Sequence, residues 1–225
     1  MTEFQVEARN RVRRSAKRAD YDRDTVYRIV DEALYCHVGF VDDGLPYVIP
    51  TNHGRMGDRV LIHGAVASRM LNVVESGAPL CITFTLLDGL VLARSVFSHS
   101  VNYRSAVLFG TGQLISEREE KLAALEAITE HIMPGRWADA RQPSEKELIA
   151  TSVVAVDIES ASAKVRTGPP GDNEEDYALP VWAGVLPMRR EFLVPDPDPS
   201  RKADVDVPDY IADYWRSQLE IPTGK

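Results

Sequence analysis

Apolar residues in this chain recur in short alternating runs broken by turn residues, with a few stretches of helical spacing between them. Val26, Ile29, Val30, Ala33 and Leu34 follow each other at intervals of three and four behind Asp22 and Asp24, which predicts a capped helix. Strand-like runs come next at 36–41, 47–51 and 59–63, separated by Asp42-Asp43-Gly44 and by Gly57-Asp58. A two-turn helix fits 68–75, with Gly77 as its stop. Residues 80–87 and 90–97 read as a hairpin around Asp88-Gly89, and 101–115 as a long strand bent at Gly110 and Gly112.

Ser116-Glu117-Arg118-Glu119 has the form of a capping box, opening a helix with Leu122, Leu125, Ile128, Ile132 and Met133 on one side. Ser144 and Glu147 repeat the signature over a shorter helix. Residues 151–158 and 163–167 read as one more strand pair or as a bent strand, followed by an acidic loop at 168–176 and a last apolar element within 181–194. A Pro-Asp-Pro-Asp-Pro linker at 195–199 leads to a short helix within 210–219. Strands joined mainly by tight turns, without regular strand–helix alternation, predict an α+β protein that is mainly β with peripheral helices. The sheet is expected to be antiparallel and closed or half-closed. A dinucleotide-binding parallel sheet does not fit, and the chain lacks both G-x-G-x-x-G and G-x-x-x-x-G-K-[ST].

With 225 residues the chain can bury one substantial core. The expected organisation is a basic arm over 1–20, one domain over 21–194 and a Pro/Asp-rich tail over 195–225. No apolar run approaches the roughly 20 residues that span a bilayer. Cys36 and Cys81 lie inside apolar runs, as buried free thiols of a reducing compartment would, so a cytoplasmic location without membrane attachment is expected. The net charge of −8 argues against nucleic acid as a partner. Charge is uneven, however: residues 1–30 hold eight Lys/Arg against five Asp/Glu, and 171–225 hold six against twelve. Such an arm suits pairing with an acidic surface of a partner subunit better than binding a nucleic acid.

Two segments carry the candidate chemistry. In 59–74 a strand turns through His63-Gly64-Ala65 into a helix with Ser68 and Arg69 in its first turn. Outward N–H groups, the helix dipole and a bidentate Arg donor together make a phosphate cradle. In 101–109, Asn102, Tyr103, Arg104 and Ser105 stand among Val, Leu and Phe, so a barrel strand presents polar groups to a cofactor or a dimer partner. His53 and His99 have no partner at ligand spacing, and no metal site is expected. No nucleophile–base pair of the hydrolase kind is evident.

The order of 44–50 (GLPYVIP), 61–65 (LIHGA) with Ser68-Arg69, 99–107 (HSVNYRSAV) and 181–187 (VWAGVLP) resembles the pyridoxamine 5′-phosphate oxidase-like proteins. Within them, it is most similar to the subgroup of nitroimidazole-resistance proteins. The resemblance implies a six-stranded antiparallel split β-barrel of the FMN-binding type, assembled as a homodimer with FMN between the barrels. It places Ser68 and Arg69 at the FMN phosphate, Pro50, Thr51 and Asn52 at the ring edge, and Ile62 and His63 near the ribityl chain. Arg104 and Ser105 would reach the cofactor from a central strand, and Trp182 from the second subunit.

The implied activity is oxidoreduction of a small acceptor such as a nitro-compound or quinone. The lysine-rich phosphate clamp of the classical oxidases and their full set of pyridoxal-phosphate contacts are missing, which speaks against vitamin B6 as substrate. A flavin-binding sensor without turnover is the alternative. Related split barrels hold haem or the deazaflavin F420, and His63 or His99 would then be a haem ligand.

Overall fold

The computed structural model describes residues 2–200 and 205–214. Its strands are β1 (Ala19–Asp20), β2 (Cys36–Asp42), β3 (Leu45–Thr51), β4 (Gly54–Met56), β5 (Arg59–Ala65), β6 (Leu80–Leu92), β7 (Ser100–Gly110), β8 (Gly112–Leu114), β9 (Thr151–Asp157), β10 (Ser160–Arg166) and β11 (Gly184–Pro187). The helices are α1 (Arg23–Glu32), α2 (Arg69–Glu75), α3 (Arg118–Ile132), α4 (Arg136–Asp139), α5 (Glu145–Ala150) and α6 (Asp209–Ala212).

Two antiparallel sheets form a split barrel with the helices outside. The larger runs β1-β10-β7-β6-β2-β3 with β11 also on β6, and the smaller runs β4-β5-β9-β8. The described strands outnumber the expected six because short edge segments add to the long ones. Val38, Phe40, Val60, Ile62, Phe84 and Val154 fill the core between the sheets, and α1 and α2 close it with Val26, Val30, Leu71 and Val74. A second cluster, Leu61, Val153 and Ala155 against Ala124 and Ile128, seats α3 on the outside of the small sheet.

The chain crosses between sheets at the expected bend in 101–115. A Cβ on Gly110 would stand 1.9 Å from the Asp157 carbonyl oxygen, so a side chain there would block the crossing. Asp22 caps α1 by accepting from the Thr25 N–H at 2.9 Å, as the pattern predicts.

Three local expectations fail. Asp88-Gly89 is not a hairpin turn: β6 runs straight through it with a register shift between Leu87 and Gly89. The Asp88 carboxylate binds Arg104, and Gly89 packs against the Leu186–Pro187 backbone, so tertiary contacts override the turn propensity. The reversal comes at 93–99, where the Asp172 carboxylate accepts the backbone N–H groups of Arg94 and Ser95 at 3.0 and 3.2 Å. The capping box at Ser116 does not form, because α3 starts one residue later with Glu117 at the cap position and no side-chain cap. The box at Ser144 and Glu147 does form. Cys81 is only half-buried, on the outer face beside Gly39, whereas Cys36 is buried.

The basic arm is pinned to the barrel. Phe4 is buried against Tyr27, and the Asn10 amide donates to the carbonyls of Gln5 and Ala161. The terminal helix reduces to α6 among the described residues, and 215–219 lie outside them.

Candidate functional site

β6 carries β2 along Cys81–Thr83 and β11 along Gly89–Leu92 on the same edge, the other edge being taken by β7. Among the described residues Phe84–Leu87 therefore face no strand on that edge, and the sheet has a notch. Into the notch opens a cavity of about 1120 Å3, walled by the end of α1, the start of β2 and the extended segment 187–195, with α6 and Tyr214 at one side.

At the inner wall of this cavity Arg104 is held between two carboxylates. Its guanidinium donates to Asp88 Oδ1 and Oδ2 at 2.8 and 3.0 Å, and to both Glu32 oxygens, Oε1 at 2.9 Å. The hydrogen bonds to Asp88, with those to Glu32, raise the Arg104 pKa above the ordinary arginine value. Glu32 is the last residue of α1 and Asp88 sits at the β6 irregularity, so one cation ties helix, bulge and barrel strand together. Ser105, one position on, points the other way because side chains alternate along a strand.

Ladder register then places a lateral row on the outer face of the large sheet. Pro50 pairs with His37, His37 with Thr83, and Thr83 with Val107. Ser105 pairs with Thr85, two positions along the same face. Thus Pro50 and Ser105, far apart in sequence, share a face. Between them stands His37, which the sequence reading passed over. Its signal is the alternation of β2: Cys36, Val38 and Phe40 are buried, and His37 is not.

The other expected residues are distributed as follows. Ser68 caps α2, its hydroxyl accepting from the Leu71 N–H at 3.5 Å. Arg69 lies over the Tyr47 ring at 4.9 Å and within 3.5 Å of Asp42, with 59% of its side chain exposed. The α2 entry therefore meets the β2–β3 hairpin. Thr51 is half-buried and its carbonyl accepts the Cys36 thiol at 3.7 Å, while Asn52 is exposed. Ile62 is fully buried in the core and paired with Val154 of β9, so it is a packing residue and not the ribityl-chain contact that the resemblance implied.

His63 is half-buried on the opposite side of β5, and its Nδ1 is buried without a hydrogen-bond partner among the described residues. Burial lowers its pKa from the usual histidine value. His99 lies exposed at the 93–99 reversal, its Nδ1 2.9 Å from the Ser95 carbonyl oxygen. Trp182 is 68% exposed, its ring folded over Gly184, where a Cβ would meet it at 3.0 Å. Burial pushes the Cys36 thiol up to about 12, leaving it no nucleophilic role at neutral pH. Among the described residues no group of three or more His, Cys, Asp or Glu side chains is placed to hold a metal ion, and no helix is long and apolar enough to cross a membrane.

Comparison with known proteins adds three kinds of result. The family model described as pyridoxamine 5′-phosphate oxidase matches residues 22–165. No curated protein matches. Among solved structures, the flavocytochrome Anf3 from Azotobacter vinelandii is 43% identical, with a TM-score of 0.87 over 93% of this chain and 97% of that one. The FAD- and haem-binding protein from Mycobacterium smegmatis is 36% identical, with a TM-score of 0.82 over 87% of this chain and 96% of that one. A Bacteroides thetaiotaomicron protein assigned to 5-nitroimidazole antibiotic resistance is 29% identical, with a TM-score of 0.54 over 65% of this chain and 86% of its own.

Proposed function

Because the chain belongs to the pyridoxamine 5′-phosphate oxidase family, we propose that it is a flavin-binding redox protein that works as a homodimer and carries haem as a second redox group. The observation that carries this reading is the notch in β6, whose cavity of about 1120 Å3 gives one protomer room for a large planar group. Likeness to a flavocytochrome and to a FAD- and haem-binding protein, over 93% and 87% of this chain, supports it. The flavin is FAD in this reading, with the FMN implied by the sequence resemblance as the alternative.

When bound, flavin exchanges hydride or single electrons and haem exchanges single electrons, so the pair links a two-electron donor to one-electron acceptors. The chain's own part is to bind and orient. Arg69 offers an exposed guanidinium to a phosphate beside the α2 entry, with Ser68 fixing the first turn. Pro50 and Ser105 share the outer face against which a ring can lie, and Thr51, paired with buried Cys36, turns its side chain the other way. Exposed apolar residues there, Val48 at 68% and Leu87 at 50%, suit contact with a second copy that brings Trp182 to the same cleft. A small acceptor such as a quinone or nitro-compound would meet the flavin in that cleft.

The absorbance spectrum of the purified protein, with identification of what denaturation releases and the mass in solution, tests the reading. Flavin maxima, a Soret band and a dimer are expected. A colourless protein that takes up no flavin on incubation refutes it. Bleaching by stoichiometric reduced nicotinamide, followed by reoxidation with a nitroaromatic, separates a turning-over enzyme from a flavin-binding sensor.

A further inference from the structure

We infer that the notch cavity is the haem pocket and that His37 is its axial ligand. This rests on the haem arm of the function proposed above and assigns it to residues. Five histidines occur in the chain. His53 Nε2 lies 2.9 Å from the Val30 carbonyl oxygen and its ring sits in the core against Phe84. His131 Nε2 lies 2.8 Å from the Ala33 carbonyl oxygen. His99 is at the 93–99 reversal, and His63 is on the small sheet; neither lines the cavity. His37 does line it.

The His37 ring makes no side-chain hydrogen bond or ion pair among the described residues; its ring contact is edge-on to Tyr35 at 5.5 Å. A half-buried imidazole at the mouth of a cavity with apolar and charged walls, carried on a strand and leaving a ring nitrogen open, is what an iron porphyrin needs from one residue.

The remaining walls suit the rest of that ligand. Leu34, Leu86, Phe192 and Ile211 offer apolar surface to the faces of a porphyrin. Haem also carries two propionates, and Arg189 and Arg190 line the same cavity without an ion pair among the described residues. Arg104 cannot serve there, because Glu32 and Asp88 already neutralise it. A slot with apolar walls, one open imidazole and two arginines against Glu191, with Glu32 and Asp88 already held by Arg104, matches a planar group with apolar faces, two carboxylates and an iron that binds nitrogen.

The test titrates haemin into the full-length protein and into His37→Gly, His37→Gln, His63→Gln and Arg189→Ala/Arg190→Ala variants, each checked for native circular dichroism. The readouts are the Soret maximum and haem affinity. Wild type and His63→Gln should give the same Soret band. Both His37 variants should lose at least about tenfold in affinity and shift the band, and added imidazole should restore it in His37→Gly. The double arginine variant should keep the band position and lose affinity. An unchanged spectrum in both His37 variants, or loss of the band in His63→Gln alone, overturns the assignment while leaving haem binding intact. A wild-type protein that binds flavin but no haemin removes the haem arm together with this assignment.

Discussion

Arg104 and Glu32 join the central barrel strand to the last turn of the first helix, with Asp88 completing the clamp on the same guanidinium. The carboxylate side chains are only 7% exposed and that of Arg104 is 23% exposed, so each group depends on the others for compensation of its charge. Replacing Arg104 with Met leaves two desolvated carboxylates facing one another, which should lower folding stability by about 3 kcal/mol. Urea denaturation of the apoprotein measures this. A loss within experimental error would show that water, not Arg104, compensates the acids.

Arg69 is the exposed counterpart of that buried cation. Its 3.5 Å approach to Asp42 and its stacking on Tyr47 hold it in place without neutralising it in a dry site. Arg69→Ala should therefore leave stability nearly unchanged and weaken flavin retention by roughly ten- to hundredfold, the worth of a charge-assisted phosphate contact. Flavin occupancy after gel filtration reads the effect, and equal occupancy in the variant would move the phosphate elsewhere.

His63 makes stability depend on pH with a definite sign. Burial keeps its imidazole neutral to lower pH than the ordinary value of 6.5, so the unfolded chain takes up the proton first as pH falls. The residue has no effect above that value and costs stability progressively below it. In His63→Gln this part of the acid sensitivity should vanish, giving a shallower fall of the urea midpoint between about pH 7.5 and 5.5 than in wild type. Parallel curves for the two proteins would contradict the sign.

Val48, 68% exposed on β3, and Leu87, 50% exposed on β6, are apolar surface on one sheet. Val48→Lys should shift the protein from dimer to monomer and lower its flavin content together, as read by light scattering coupled to absorbance. A variant that stays dimeric would place the contact on another face.

The alternation of apolar and polar residues made the strands legible, and cap and glycine signals marked α1, α2 and the bend at Gly110. The turn at Ser68-Arg69 stood out for the same reason: local chemistry is written in neighbouring residues. Asp88-Gly89 misled because its turn propensity is worth less than the contacts of Asp88 with Arg104 and of Gly89 with β11. Likewise Arg104 looked like a free ligand group until folding brought Glu32 to it from 72 residues away.

By itself, then, the sequence determined the mainly β character, the family and the capped turn at Ser68-Arg69, each of which is written in short stretches of the chain. Tertiary structure alone decided which edge of β6 stays open, that His37 stands beside Pro50 at its mouth, and that Arg104 is already spent. Those facts depend on strand register and on charges meeting across long loops, and neither is encoded in any local window.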